Sequence, residues 1–237
     1  MSLNAHSLMT FADKIIDYNL NLTLDVPLPQ HICVMNPYQD PSVRSVTEVF
    51  YRKFYNDSQP RHLIMGINPG RFGAGITGIP FTDSVRLRNI CGIVSDAILD
   101  TKELSSVFVY EVIKAYGGVE AFYGDFYINS VCPLGFTKQN ERGKQVNYNY
   151  YDSPALTETV YDYIINNIET LLKMGFEKDV CFCLGTGKNV QFLRKLNDKH
   201  HFFDKIVALE HPRFVMQYKS KQMVEYVDMY IKKLSLR

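Results

Sequence analysis

Residues 63–75 read Leu-Ile-Met-Gly-Ile-Asn-Pro-Gly-Arg-Phe-Gly-Ala-Gly, and this stretch decides the fold. It starts with a short, unbroken apolar run, which is typical of a strand buried on both faces of a sheet. The run passes without a polar spacer into Asn68-Pro69-Gly70, and four of the ten residues from Gly66 to Gly75 are glycine. Glycine allows the backbone to come close to a ligand. Because open α/β sheets bind ligands at the carboxyl edge of their strands, the stretch predicts a ligand site there.

Three further apolar runs predict strands of the same kind, and helical patterns fill the gaps between them. The predicted strands are residues 63–67, 126–131, 180–184 and 206–209. The predicted helices are residues 86–99, 107–116, 155–174, a short helix through 190–196, and 214–234. Ser153-Pro154 predicts the cap and first turn of the third helix. Alternating strands and helices predict an α/β fold, a three-layer α/β/α sandwich around a central, mostly parallel four-stranded sheet.

The domain organisation follows from the length and from the N-terminal pattern. A chain of 237 residues that is 46% hydrophobic can bury one substantial core, so we expect a single domain over residues 1–237. Residues 1–56 predict a helical extension packed on it, with helices near 8–18 and 43–55. The polar stretch 137–153 follows a strand end and predicts a loop on the active side.

Composition excludes several classes of protein. No apolar run approaches the roughly 20 residues that a membrane-spanning helix needs, and the N-terminus lacks the pattern of a secretory signal. We therefore expect a cytoplasmic protein with no membrane partner. An odd number of cysteines in apolar surroundings indicates reduced core thiols, and no cysteine pair or Cys-His cluster has zinc spacing, so we expect no metal and no cofactor. The cysteines are Cys33, Cys91, Cys132, Cys181 and Cys183.

Charge is unevenly divided along a chain whose formal net charge is +1. Residues 188–237 carry 11 Lys and Arg against 5 Asp and Glu. Such a segment is compatible with a basic face toward a polyanion and also with ordinary solvated helix surface. Gly185-Thr186-Gly187-Lys188 lacks the spacing of a Walker A loop, so we interpret it as a strand-to-helix turn. A phosphate contact from Lys188 is the alternative.

Polar residues lie at the ends of three predicted strands: Asn68, Asn129 and His211. Each has an ordinary structural explanation, namely turn chemistry for Asn68, a satisfied buried amide for Asn129, and the start of a helix for His211 before Pro212. In a parallel sheet, however, these ends meet at one edge. Because all three are expected at the edge that also carries the Gly-rich loop, the pattern favours a common site.

These motifs resemble those of the single-strand-selective monofunctional uracil-DNA glycosylases, in the uracil-DNA glycosylase superfamily. The first motif of that family, Gly-Met-Asn-Pro-Gly-x-Phe-Gly and then Thr-Gly-Val-Pro-Phe, is matched by residues 66–73 and 77–81. Its Asn-x-x-Cys-Pro-Leu is matched by residues 129–134, and its His-Pro by His211-Pro212. An upstream Tyr-Asn-Pro is similar to Met35-Asn36-Pro37.

The likeness covers about residues 30 to 230. It implies a uracil-DNA glycosylase-like fold and a monofunctional enzyme of base excision repair. Such an enzyme excises uracil from DNA by base flipping and hydrolysis of the N-glycosidic bond. Its partner is DNA that contains uracil, in single or double strands. We expect it to act as a monomer, with 5-substituted uracils as further candidate substrates.

The resemblance also implies roles for individual residues. Asn68 would orient the attacking water, and His211 would donate a hydrogen bond to the charge that develops on uracil O2. Phe81 would stack on the flipped base. Asn129 would pair with its O4 and N3–H, a pattern that cytosine reverses. The further substrate contacts that we expect are Gly66, Ile67, Gly70 and Phe72.

The sequence departs from the family pattern after His211-Pro212. The family continues with Ser-Pro-Arg-Asn, in a loop that wedges the duplex, whereas Arg213-Phe214-Val215 predicts the start of a helix. We expect Arg213 and Phe214 to contact DNA instead, with weaker duplex penetration that favours single strands. Lys138 and Lys188 are further predicted DNA contacts.

Three alternatives stay open. Mismatch-directed uracil/thymine glycosylases also contain Gly-Ile-Asn-Pro-Gly, but their second motif usually starts with Asn-Pro-Ser, and His211 argues against them. The altered wedge is compatible with a non-catalytic binder of damaged or single-stranded DNA. A small α/β hydrolase acting on free nucleosides is the third alternative.

Overall fold

The computed structural model describes residues 9–95 and 100–237, which form two sheets. The strands are β1 Ile32–Met35, β2 His62–Gly66, β3 Phe126–Ser130, β4 Gly135–Gln139, β5 Gln145–Tyr148, β6 Val180–Leu184 and β7 Lys205–Leu209. Four of them form a parallel sheet in the order β3-β2-β6-β7. The other three form an antiparallel sheet in the order β1-β4-β5.

Helices cover the parallel sheet. Those of the described residues are α1 Phe11–Leu20, α2 Pro41–Phe54, α3 Ala74–Thr77, α4 Ser84–Asn89, α5 Leu104–Tyr116, α6 Val119–Asp125, α7 Pro154–Thr159, α8 Tyr161–Met174, α9 Lys188–His200, α10 Pro212–Tyr218 and α11 Met223–Leu234. Short 3-10 helices span Pro37–Gln39 and Ser220–Gln222.

Neighbouring residues of β3 show how the layers are built. Tyr127 packs its ring against Tyr51 of α2, whereas Phe126 packs against Tyr116 of α5. Because successive side chains of a strand point to opposite faces, α2 and α5 cover opposite sides of the sheet. The predicted α/β/α sandwich and its four-stranded parallel sheet are confirmed, since short apolar runs buried on both faces are a local signal.

Residues 137–153 do not form a simple loop as predicted, because β4 and β5 form a hairpin there. Its turn is closed by a hydrogen bond from the backbone N–H of Asn140 to the carbonyl of Lys144. The predicted position on the active side is supported, since Asn147 and Asn149 line the cavity at the carboxyl edge of the parallel sheet. Strand β5 is largely exposed, and β1 exposes two of its four residues. Strands without a buried face lack the apolar alternation that reveals them in a sequence.

Several predicted helices have other bounds. The helix expected over residues 86–99 ends at Asn89, residues 90–95 are not helical, and residues 96–99 lie outside the described residues, as does residue 8 of the first predicted helix. Val160 divides residues 155–174 into α7 and α8, and a break after Tyr218 divides the last helix. Helix α6 was not predicted. Ser153 caps α7 as expected, because its Oγ accepts a hydrogen bond from the N–H of Leu156.

Four of the five cysteines are buried, as predicted, but Cys33 is exposed on β1. All five thiols are free. The expectation that Cys33 belongs to the core is therefore wrong, for the same reason that β1 was missed. No helix within residues 9–95 and 100–237 combines the length and apolarity that crossing a membrane requires.

The N-terminal helices pack on the same core as the sheet. The rings of Phe11 on α1 and Phe176 lie 4.9 Å apart. The hydroxyl of Tyr18 donates a hydrogen bond to Oδ1 of Asn167 on α8, over 3.0 Å. These contacts join α1 to the half of the chain that follows β3.

Candidate active site

A cavity of about 570 Å³ opens at the carboxyl edge of the parallel sheet. Its walls come from the segments that follow β2 and β7, from the end of β3, from β5 and from the start of α5. The site residues predicted from the sequence that line it are Ile67, Asn68, Gly70, Phe72, Phe81, His211, Arg213 and Phe214. The structure therefore brings most of the predicted site together.

Asn68 follows β2 and is held by the segment that ends β5. Its Oδ1 accepts a hydrogen bond from the backbone N–H of Tyr150 over 3.1 Å. Its Nδ2 donates to the backbone carbonyl of Tyr148 over 3.2 Å. Both ends of the amide are thus oriented by backbone groups, and the second lone pair of Oδ1 is available to a water molecule.

Asn189, which was not predicted from the sequence, helps to hold the segments on either side of Asn68 in place. Its Nδ2 donates to the carbonyl of Gly66 over 3.2 Å, and its Oδ1 accepts from the hydroxyl of Tyr150 over 2.8 Å. Asn189 is buried. It therefore links the end of β2 to the same tyrosine whose backbone holds Asn68. Its place directly after Lys188, at the start of a helix, was the available signal.

His211 is the N-cap residue of α10. Its Nδ1 accepts a hydrogen bond from the backbone N–H of Arg213 over 3.2 Å. Burial, with a contribution from the positive charge of Arg213, lowers the pKa of His211 to about 4. The imidazole is therefore neutral at pH 7, and because Nδ1 accepts, Nε2 carries the proton. His211 is a neutral hydrogen-bond donor on the wall of the cavity.

Phe81 presents its ring beside His211, with 5.9 Å between the ring centroids. Its backbone has a φ of 53°, in the left-handed region that residues other than glycine seldom adopt. Gly66 packs closely behind it: a Cβ at that position would lie 3.6 Å from Cε2 of Phe81 and 3.4 Å from Oγ of Ser130. A side chain on Gly66 would thus project toward two residues that line the cavity.

Asn129, the predicted base-reading residue, does not line the cavity, and neither does Gly66. Its Oδ1 accepts a hydrogen bond from the backbone N–H of Ser130, and its Nδ2 is buried without a hydrogen-bond partner among the described residues. Ser130 lines the cavity instead. Adjacent residues of a strand face opposite ways, so the two side chains lie on different faces of β3. Because both residues are polar and every position of β3 is buried, the sequence held no signal that separates Ser130 from Asn129.

Glu103 is a further cavity residue that the sequence analysis missed. Burial and the nearby charge of Asp83 raise its pKa to about 7, against the opposing effect of Arg213. Its Oε2 is buried and has no hydrogen-bond partner among the described residues. Its carboxyl group packs on Gly73 of the first motif, where a Cβ would lie 2.2 Å from Oε2.

Lys138 and Lys188 lie outside the cavity wall. The Nζ of Lys138 is 5.2 Å from the ring centroid of Tyr148, and that of Lys188 is 5.9 Å from the ring centroid of Tyr151. Lys188 borders a separate depression beside α7 and α8. Their role as DNA contacts stays a prediction.

The site can therefore enclose a small planar group beside Phe81, offer it a neutral donor from His211 and orient a water molecule through Asn68. A model of the uracil DNA glycosylase superfamily matches residues 52–235. The chain belongs to the uracil-DNA glycosylase superfamily. A crystal structure of wild-type Pedobacter heparinus SMUG2 is 53% identical over 97% of this chain and 98% of that one, with a TM-score of 0.93. No curated protein matches the chain in sequence.

These comparisons confirm the resemblance to the single-strand-selective type and the expectation of an enzyme. The protein is a uracil-DNA glycosylase, a glycosidase of base excision repair. In this glycosylase the matched region begins within α2 and ends one residue after α11, so it includes both sheets except β1.

Proposed function

We propose that the enzyme flips a uracil nucleotide out of DNA into the cavity and hydrolyses its N-glycosidic bond without cutting the strand. The observation that carries this proposal is that Asn68 and His211 line one cavity, with the ring of Phe81 beside the imidazole. A base must leave the stack before its glycosidic bond can be reached. The cavity, of about 570 Å³, lies in the size range of small-molecule sites.

Phe81 stacks on the flipped base, and Ile67, Gly70 and Phe72 form the surrounding wall. Gly66 keeps the space between Phe81 and Ser130 free, because a side chain there would project into it. We assign the hydrogen bond to the edge of the base to Ser130 rather than Asn129, since Ser130 is the one on the wall. A hydroxyl both donates and accepts, so it can pair with O4 or N3–H of uracil.

His211 stabilises the leaving group. As the glycosidic bond breaks, negative charge develops on uracil O2, and a fixed donor in a site shielded from water stabilises that charge strongly. The neutral imidazole provides the Nε2 proton for this bond without itself adding a positive charge. Its orientation is supplied by the hydrogen bond from the N–H of Arg213 to Nδ1.

Asn68 holds the attacking water near C1′ of the sugar. An amide is a weak base, but a dissociative transition state requires little proton removal at the start. The two backbone hydrogen bonds to its side chain supply the orientation that such a step needs. Arg213 and Phe214 contact the strand at the rim, and Lys138 and Lys188 contact phosphates farther away.

A base-release assay tests this proposal. Single- and double-stranded oligonucleotides with one uracil are incubated with the enzyme, and abasic sites are then cleaved with alkali. His211→Ala should lower the rate of release by about 100- to 1,000-fold, the usual effect of removing one such donor. Asn68→Ala should also lower it strongly while the protein stays folded by circular dichroism. Intact uracil with the wild type, or wild-type rates in both variants, would refute the mechanism.

The same assay resolves substrate range. Strands with 5-hydroxymethyluracil test the 5-substituted uracils, and G·T against G·U mismatches test the mismatch-directed alternative. We propose that uracil is preferred and that the enzyme acts as a monomer. Sedimentation of the enzyme with and without DNA checks the second statement.

A further inference from the structure

Exposed aromatic side chains are concentrated at one place on this enzyme. Among the Phe and Tyr side chains of the described residues, only Phe72, Phe214 and Tyr218 are exposed, by 57%, 39% and 66%. All three line the active-site cavity. Exposed apolar groups clustered around a cleft mark a binding surface rather than a packing need.

Two of these rings belong to one helix. Phe214 and Tyr218 are four residues apart on α10, so they lie on the same face. Their ring centroids are 5.5 Å apart and the ring planes are inclined by 46°. His211, the proposed catalytic histidine, is the N-cap residue of α10, so the helix starts directly after it. The rings are therefore carried by an ordered helix rather than by a protruding loop.

Cationic side chains accompany the rings at the rim. Arg213 and Lys102 are exposed and line the cavity, and the guanidinium of Arg71 lies 4.8 Å from the ring centroid of Phe72. Aromatic rings interleaved with Lys and Arg are the composition of single-stranded nucleic-acid sites, where bases stack and phosphates pair. The strand that delivers the flipped nucleotide must cross this rim.

We propose that Phe214 and Tyr218 form a stacking platform for the nucleobase next to the flipped nucleotide. This inference rests on the proposed function, because it takes its occupant from the strand that the active site engages. The neighbouring base loses one stacking partner when the target leaves, and the platform replaces that partner. Every base has a π-face, so the platform tolerates all four, with stronger binding of purines than of pyrimidines.

The test is a double-mutant cycle in which the aromatic ring is removed from the protein, the neighbouring base is removed from the strand, and both are removed together. The probe is a fluorescein-labelled single strand with 2′-fluoro-2′-deoxyuridine, which resists cleavage, at its centre. In two companion strands a tetrahydrofuran spacer replaces the base on the 5′ or the 3′ side. Dissociation constants are measured by fluorescence anisotropy for the wild type, Phe214→Ala and Tyr218→Ala. Tyr218→Phe retains the ring, and Val224→Ala, an exposed substitution on α11, is the matched control.

On the complete strand, Tyr218→Ala and Phe214→Ala should each weaken binding by about 5- to 150-fold, the range of one base–aromatic contact. Tyr218→Phe and Val224→Ala should bind as the wild type does. On one of the two spacer strands, the wild type should bind more weakly than on the complete strand by the same factor. The alanine variants should bind that spacer strand as tightly as they bind the complete strand. Equal losses on the complete and both spacer strands, or no loss at all, would overturn the platform.

The readouts separate this inference from the proposed function. The platform is measured by binding to an uncleavable strand, whereas the proposed function is measured by base release. If the binding measurements show coupling between the ring and the neighbouring base but the enzyme releases no uracil, only the catalytic proposal is contradicted. Base release without coupling would contradict the platform alone.

Discussion

Oδ1 of Asn68 accepts a hydrogen bond from the backbone N–H of Tyr150, a residue 82 positions away in the chain. The hydroxyl of the same tyrosine donates to Asn189, whose amide in turn donates to the carbonyl of Gly66. Tyr150 thus contacts the site twice, once through its backbone and once through its side chain. The orientation of the predicted water-binding amide depends on contacts that cross the whole fold.

Tyr150→Phe tests this support. The change removes the hydroxyl and leaves the buried Oδ1 of Asn189 without its donor, which costs about 1–3 kcal/mol of unfolding free energy. We expect a lower kcat with little change in KM, because Asn68 is displaced while the base-binding wall is retained. Chemical denaturation and single-turnover base release measure the two effects. Tyr218→Phe, which removes a hydroxyl from an exposed residue, is the stability control. Equal stability of both variants would contradict the role of the hydroxyl.

The low pKa of His211 predicts an acid-side loss of stability. Its pKa is about 4 in the folded enzyme and 6.5 as a reference, so the unfolded chain binds a proton first as the pH falls. The stabilising contribution is fully present above pH 6.5 and is lost as the pH falls toward 4. Relative to His211→Gln, the unfolding free energy of the wild type should fall by up to about 3 kcal/mol between pH 6.5 and pH 4. Denaturation at several pH values measures the difference, and an imidazole NMR titration near pH 6.5 would contradict it.

The raised pKa of Glu103 predicts a loss of stability as the pH rises, the opposite of the trend for His211. Its pKa is about 7 in the folded enzyme against a reference of 4.5, so the folded state holds a proton that the unfolded state has released. The cost of ionising the buried carboxyl is absent below pH 4.5 and complete above pH 7. Glu103→Gln should therefore stabilise the enzyme at pH 8 by about 1–3 kcal/mol relative to the wild type. The gain should shrink by pH 5, and a gain that does not vary with pH would rule out this carboxyl as its source.

Ser130 and Asn129 provide a matched pair on adjacent positions. Ser130→Ala removes the proposed contact with the uracil edge and should raise KM by about three- to tenfold, the effect of one neutral hydrogen bond. Asn129→Ala removes an amide on the other face of β3, so its main effect should be on stability. Steady-state kinetics on uracil-containing strands, with thermal unfolding of both variants, compares them. A larger KM effect from Asn129→Ala would return the base-reading role to that residue.

Much of the fold and part of the site could be predicted from local patterns. The run at residues 180–184 is apolar throughout, and residues 126–128 begin their run with three large apolar or aromatic side chains, so the burial of both strands in the parallel sheet follows from that composition. Asn68 and His211 follow such runs, and the geometry of parallel strands brings their ends to one edge. The hairpin of β4 and β5 was not predictable in the same way, because its residues are mostly polar and β5 is largely exposed.

The sequence by itself determined the sheet, the edge at which ligands bind and the motifs that belong to a uracil-DNA glycosylase. Only the tertiary structure decided which side chain of β3 faces the cavity, because a shift of one residue reverses the face and both Asn129 and Ser130 are polar. It also decided the environments of Glu103 and Asn189, since burial and hydrogen bonding arise from segments far apart in the chain. Local composition determines which elements form, but proton affinity and orientation depend on the neighbours that folding supplies.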